Sequence, residues 1–214
     1  MNRLALIAAL ATATVAAPSA EAATTMVTAG TRGLQILEYG PAGQSFTTTE
    51  SQLLSFGFQF QTANASMAND PVTLTLLAGS GLNGVTVATR TVTLPTSAAR
   101  TSFWYDFDLA GTTLIANTSY TALLSTTSIR LAVMYGPSLM PTPNGADAYS
   151  GGSLVATKPQ IGYCLTDPCD ANFRFTTVAG AVPEPATWAM MLVGFAMVGG
   201  TVRYRRRNVR LAYR

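Results

Sequence analysis

Apolar and polar residues alternate with a period of two through most of the middle of the chain, the pattern of strands with one buried and one solvated face. Leu54, Phe56, Phe58 and Phe60 alternate with Ser55, Gly57, Gln59 and Gln61, and Val72, Leu74 and Leu76 alternate with Thr73 and Thr75. After Gly79-Ser80-Gly81-Leu82-Asn83-Gly84 a Val/Thr-rich run continues to Leu94, which predicts a hairpin around the Asn-Gly turn signal. Phe103, Tyr105, Phe107 and Leu109 mark the next strand. Tyr120, Ala122 and Leu124 follow, then Ile129, Leu131, Val133 and Tyr135, and finally Phe173, Phe175 and Thr177. No segment here has a 3.6-residue period, so helix is expected only at the two ends. About eight strands separated by polar turns predict an all-β, two-sheet β-sandwich of jelly-roll type. Residues 136–159, with Pro137, Pro141, Pro143 and Gly151-Gly152, read as a long loop with room for a short edge strand.

The ends break the pattern. Met1-Asn2-Arg3 is a short positive region, Leu4 to Ala17 is apolar, and Ala20-Glu21-Ala22 gives small residues around a cut, so residues 1–22 read as a secretory signal peptide. Export then involves the Sec machinery and signal peptidase, with a mature start at Ala23. The expected sandwich is residues 23–178 and residues 179–182 form a linker. The 17 residues from Ala186 to Val202 carry no charge, and Arg203, Arg205, Arg206, Arg207, Arg210 and Arg214 follow. That length is at the short end of the roughly 17–25 residues a helix needs to cross a bilayer. The arginines of residues 203–214 would stay cytoplasmic and Pro183 would lie outside, anchoring the chain in the inner membrane. A core helix of a soluble domain is the alternative, and six closing arginines argue against it.

Val182-Pro183-Glu184-Pro185-Ala186-Thr187-Trp188-Ala189, then Gly194-Phe195 and the arginine cluster, resembles the PEP-CTERM sorting signal of Gram-negative bacteria, in the variant with Trp-Ala after Pro-Glu-Pro. The resemblance covers residues 183–207. It implies recognition of Pro183, Glu184, Pro185 and Trp188 by exosortase, with Arg203, Arg205, Arg206 and Arg207 as the stop. It implies cleavage near Pro-Glu-Pro and delivery to the cell surface or an exopolysaccharide (biofilm) matrix. In the body, Gln44-Ser45-Phe46-Thr47, the Phe-rich strand, and Asn172-Phe173-Arg174-Phe175 resemble jelly rolls of carbohydrate-binding-module type.

Charge changes this picture once the ends are set aside. The whole chain is +3, but between Ala23 and Val182 six bases face eight acids, leaving −2. A mildly acidic body with one lysine lacks the basic stripe that nucleic acid requires. Cys164 and Cys169 are expected to pair, because export leads to an oxidising space. A redox pair would want a C-x-x-C at a helix start, and neither condition is met.

Histidine is absent, which removes Ser-His-Asp and Cys-His catalysis and His-ligated metals. Asp106 and Asp108 are a close acid pair on a predicted strand, sharing a face with Trp104. A retaining glycosidase needs carboxyls about 5 Å apart across a cleft, which strand neighbours do not supply, so no catalytic residues are expected. The readings left for Trp104, Asp106 and Asp108 are a solvated outer face or a saccharide platform. Tyr149 and Tyr163 are loop aromatics that would line a groove or pack over a core edge. No cofactor is expected. A structural calcium held by Asp147, Asp167, Asp170 and Asn172 is the alternative to ordinary turn capping. Exopolysaccharide is thus the expected partner of the body, with a purely structural envelope protein or a hydrolase as alternatives.

Overall fold

The computed structural model describes residues 21–63, 69–136, 147–158, 164, 169–179, 190–200 and 203. Residues Glu21–Gly180 form one unit, and the two chain ends form another. The body contains β1 (Ala22–Val27), β2 (Arg32–Gln35), α1 (Ile36–Tyr39), β3 (Ala42–Thr48), β4 (Gln52–Thr62) and β5 (Pro71–Ala78). It continues with β6 (Val85–Thr93), β7 (Ser102–Thr113), β8 (Thr118–Thr126), β9 (Leu131–Gly136), β10 (Leu154–Ala156), β11 (Asp170–Ala171) and β12 (Phe173–Val178).

Alternation decides which sheet faces meet. In β4, Phe56, Phe58 and Phe60 are fully buried, while Ser55, Gly57, Gln59 and Gln61 take the other face. A seven-stranded antiparallel sheet is built around this strand. β7 runs along one edge of β4; β12 pairs with the first part of the other edge and β9 with its last three residues. β1 lies outside β12, and β2 and β11 pair with β9. The opposing five-stranded sheet has the order β10-β3-β8-β5-β6, again antiparallel.

Between the sheets sits an aromatic core. Phe46 of β3 lies with its ring centroid 4.9 Å from Phe56, and Phe56 stacks on Phe173 at 5.7 Å. Leu74, Leu76 and Leu124 close it from the five-stranded sheet. Burying each such side chain is worth about 1.5–3 kcal/mol, which makes this cluster the main driving force for the fold.

The structure departs from the sequence reading in several places. β1, β2 and β11 are short or non-alternating, and pairing with longer strands holds them. α1 is a single helical turn where no helix is expected, kept by the buried Ile36. A register shift between Leu53 and Ser55 puts Leu53, not Leu54, in the core. Ile129 precedes β9 and is 65% exposed. The β5–β6 hairpin turns through Gly79 and Gly81, whose φ values are +94° and +101°, the left-handed region that glycine tolerates best. Gly84 serves close approach instead, since a Cβ there would lie 2.2 Å from the Ala78 carbonyl oxygen. In agreement with that reading, β10 is the short edge strand for which the expected 136–159 loop has room.

Cys164 and Cys169 are disulfide-bonded, with Cα atoms 5.4 Å apart. In the other unit, residues 190–200 are helical and bear no charge, and Met190, Leu192, Val193, Phe195, Met197 and Val198 are exposed. Among the described residues no helix is long and apolar enough to cross a membrane. The rest of the 186–202 span, the signal peptide through Ala20, Pro183, Glu184, Pro185, Trp188, Arg205, Arg206, Arg207, Tyr163 and Asp167 lie outside the described residues.

Candidate functional site

The alternation of β7 buries Phe107 and Leu109 and sends Trp104, Asp106 and Asp108 to the outer face of the seven-stranded sheet. Sequence reasoning did not supply their partner, Arg174 of β12. Its Nε donates to Asp106 Oδ1 at 2.7 Å and its Nη2 to Oδ2 at 2.5 Å, a fork-on-fork pair. The Asp106 carboxylate raises the Arg174 pKa above its ordinary value. The same guanidinium carbon sits 4.9 Å from the centroid of the Trp104 ring, within cation–π range. One face of Trp104 is therefore covered by a cation that is itself held by Asp106.

Gly57 makes this geometry possible. In the register it lies between Arg174 and Asp106, so the ion pair crosses the strand that separates its two members. A Cβ at residue 57 would fall 2.0 Å from Asp106 Oδ1. Asp108 turns its carboxylate back on its own strand, accepting from the Ala110 amide at 2.9 Å. Arg90 of β6 donates from Nε to the Asp108 carbonyl at 3.0 Å, tying the edges of the two sheets together.

Further along the same face, Gln59 stands opposite Trp104 and Gln61 opposite Ser102. Asn172, in the break between β11 and β12, is fully buried and committed to structure. Its Oδ1 accepts from the Ala29 and Gly30 amides at 2.7 and 3.0 Å, and its Nδ2 donates to Gly30 O and Gln59 Oε1, both at 2.7 Å.

Tyr149 belongs to a different place. Its hydroxyl donates to Thr47 O at 2.8 Å and its ring meets Phe173 edge-on at 5.1 Å. Its amide donates to Asp147 Oδ1 and to Asp170 Oδ2. Burial pushes its phenol pKa up. Asp170 is buried and accepts from Gln44 Nε2 at 2.8 Å. Its carboxyl pKa rises to about 6, mainly through desolvation, with the neighbouring Asp147 carboxyl adding to the rise. Gln44 Oε1 in turn accepts from the Ala171 amide at 2.8 Å. These contacts clasp the loop onto β3 and β11. Of the four candidate calcium ligands, Asp147 and Asp170 come together and Asn172 is turned into its own amide network. Among the described residues no group of three or more Asp, Glu or Cys is placed to hold a metal.

What the outer face offers chemically is a stacked aromatic, a fixed cation, a carboxylate and two amides on rigid strands. Arg174, Gly57 and Gln59 were discoverable only as outward positions in alternating runs: Arg174 between Phe173 and Phe175, Gly57 between Phe56 and Phe58.

Residues 181–207 match the family model described as the PEP-CTERM protein-sorting motif. The motif implies an exported surface protein targeted by exosortase. No curated protein matches the chain. The body has a distant likeness to proteins of infectious bursal disease virus. For the T13 viral particle the identity is 14% and the TM-score 0.32, covering 82% of this chain and 35% of that one. For the Gx strain the identity is 14% and the TM-score 0.27, covering 81% of this chain and 34% of that one. The chain thus spans about a third of the length of these structures, and likeness at that level carries no argument about fold or function.

Proposed function

We propose that the protein is a non-catalytic surface or matrix component whose jelly-roll-like sandwich binds exopolysaccharide through the outer face of its seven-stranded sheet. Trp104 stacked on Arg174 is the observation that carries this reading. Aromatic rings with flanking amides and charges supply the apolar faces and fixed hydrogen-bond partners that sugar rings need. Both carboxylates of the former acid pair are engaged, Asp106 by Arg174 and Asp108 by the Ala110 amide, which argues against these two as the acid and base of glycoside hydrolysis.

The tail has a transient role in this account. Residues 186–202 cross the inner membrane with the arginines inside, until exosortase cuts near Pro183-Glu184-Pro185 and releases the sandwich to the surface. An uncharged helix with its large apolar side chains exposed, as at residues 190–200, is the kind that a bilayer buries.

A purely structural envelope protein is the competing reading. Its support is the hydroxyl pairing between strands, Thr24 with Thr176 at 2.9 Å and Thr73 with Thr91 at 2.8 Å, which satisfies outer-face polar groups internally. A glycan array probed with the processed protein separates the two. Retention on surface polysaccharides supports binding, and an array with no retained glycan leaves the structural reading.

A further inference from the structure

The side-chain amide of Gln59 has its orientation fixed from below. Asn172, fully buried, accepts at Oδ1 from the backbone amides of Ala29 and Gly30, at 2.7 and 3.0 Å. Backbone N–H groups only donate, so the end of Asn172 that faces them must be its oxygen and the other end its nitrogen. That nitrogen donates to the Gly30 carbonyl and to Gln59, both at 2.7 Å, so Gln59 must turn Oε1 toward it. Nε2 is then the free end of Gln59, with no hydrogen bond among the described residues. Gln59 stands directly opposite Trp104 in the β4–β7 register, with Cβ atoms about 5 Å apart. Both side chains are half-buried on the outer face. Two backbone amides between β1 and β2 thus decide that the group beside the indole ring is a donor.

We infer that Trp104 and Gln59 form a subsite for an uncharged, acetylated sugar unit, which stacks on the indole while its acetyl carbonyl accepts from Gln59 Nε2, and that Asn172 is the positioning residue for that donor. The inference rests on the saccharide reading of the outer face and specifies its ligand. Donor character is the first argument. A sugar hydroxyl rotates to meet either a donor or an acceptor, whereas the carbonyl of an N-acetyl or O-acetyl group only accepts. A side chain locked as a donor selects the carbonyl. Arg174 adds to this, because it holds the Asp106 oxygens with Nε and Nη2 and leaves Nη1, a further donor, without a bond among the described residues. Charge is the second argument. The Arg174 cation is cancelled by Asp106, Asp108 follows on the same face, and the body carries −2, so a carboxylate-bearing sugar would meet net negative charge. Size is the third. One face of the Trp104 ring is taken by the guanidinium at 4.9 Å, so the ring stacks one sugar unit and the amide beside it reads that unit's substituent.

Isothermal titration calorimetry of the processed protein tests this with matched probes. N-acetylated chitotetraose is compared with cellotetraose, which has hydroxyls in place of the acetamido groups. O-acetylated glucomannan is compared with the same polymer after mild alkali, which removes its ester acetyls, and alginate supplies a polyuronate. The wild type should bind the acetylated member of a pair about tenfold more tightly than its counterpart, with little change between about 50 and about 500 mM salt. Preference in the first pair identifies an N-acetyl group and in the second an O-acetyl ester. Asn172→Asp keeps an oxygen for the Ala29 and Gly30 amides but offers Gln59 an acceptor, which turns Nε2 inward and Oε1 toward the ligand. Gln59→Glu makes the same exchange on Gln59 itself. Each folded variant should lose the preference and hold the binding of the unacetylated probe, whereas a merely structural Asn172 would weaken both probes alike. If Asn172→Asp fails to fold, Gln59→Glu decides. A preference that survives in the folded variants, with binding of both probes lost in Trp104→Ala, overturns the Gln59 donor and spares the platform. Equal binding within both pairs, or tighter binding of alginate, overturns the acetylated assignment. No binding of any probe overturns the subsite and counts against the saccharide reading as a whole.

Discussion

Arg174 and Asp106 are joined across a strand that belongs to neither of them. β4 lies between, and only because residue 57 has no side chain can the guanidinium of β12 grip the carboxylate of β7 at 2.7 and 2.5 Å. The cation over Trp104 is thus placed by a glycine.

Gly57→Ala should cost more than removing either charge. Its Cβ would fall 2.0 Å from Asp106 Oδ1 and 2.9 Å from the Tyr105 carbonyl oxygen, the second being backbone that does not move aside. Overpacking of this kind costs about 1–3 kcal/mol, whereas Asp106→Asn removes a half-exposed ion pair worth about 0.2–1 kcal/mol. Urea unfolding of the two variants gives the order, and a smaller loss for Gly57→Ala would contradict the geometry.

Asn172→Ala should be among the more damaging single changes on the outer sheet. It strips partners from the Ala29 and Gly30 amides, the Gly30 carbonyl and Gln59. Leaving buried groups unsatisfied costs about 1–3 kcal/mol each where water cannot reach them. A loss below about 1 kcal/mol in denaturant unfolding would mean that solvent replaces the network.

The Asp147–Asp170 pair predicts a pH dependence of stability. Asp170 keeps its proton up to about 6 in the fold, while in the unfolded chain it releases it near the ordinary aspartate value of about 3.9. Between these values the native state binds more protons, so this group's contribution to stability falls as pH rises from about 4 to about 6. Asp170→Asn, which does not titrate, should remove that slope, and because its amide nitrogen cannot accept from both Gln44 Nε2 and the Tyr149 amide it should also lower the melting temperature across the whole range. Calorimetry across the window checks it. A wild type whose Asp170-dependent stability rises with pH would reverse the sign.

Replacing Pro183, Glu184 and Pro185 with alanines should leave a full-size, membrane-held form. Cell fractionation and intact mass read the outcome, and an unchanged distribution would contradict exosortase processing at this motif.

The long strands were legible because each buries one face: β4, β5, β7, β8, β9 and β12 all announce themselves by alternation. β1, with its run AATTMV, and β2, with four residues, do not alternate, and their place comes from partners roughly a hundred residues or more away in sequence. The candidate site divides in the same way. Trp104, Asp106 and Asp108 share a face by local periodicity alone. Their link to Arg174 spans 68 residues and depends on the β12–β4–β7 register, which no local pattern encodes. Tyr149 had no periodic signal at all, and of its two readings its contacts with Phe173 and Thr47 match packing over a core edge. The Asn83-Gly84 signal named the right hairpin but the wrong turn, because Gly79 and Gly81 lie closer to the end of β5 and adopt the left-handed conformations first.

The central claim is that the outer face of the seven-stranded sheet holds polysaccharide, and equilibrium binding of exopolysaccharide from the producing cells to wild type and Trp104→Ala tests it most directly. Loss of one stacking platform is worth about 1–3 kcal/mol on the scale of aromatic stacking, so the account predicts binding by the wild type and roughly tenfold or greater weakening in the folded variant. No binding by the wild type, or equal affinity for both proteins, would contradict it.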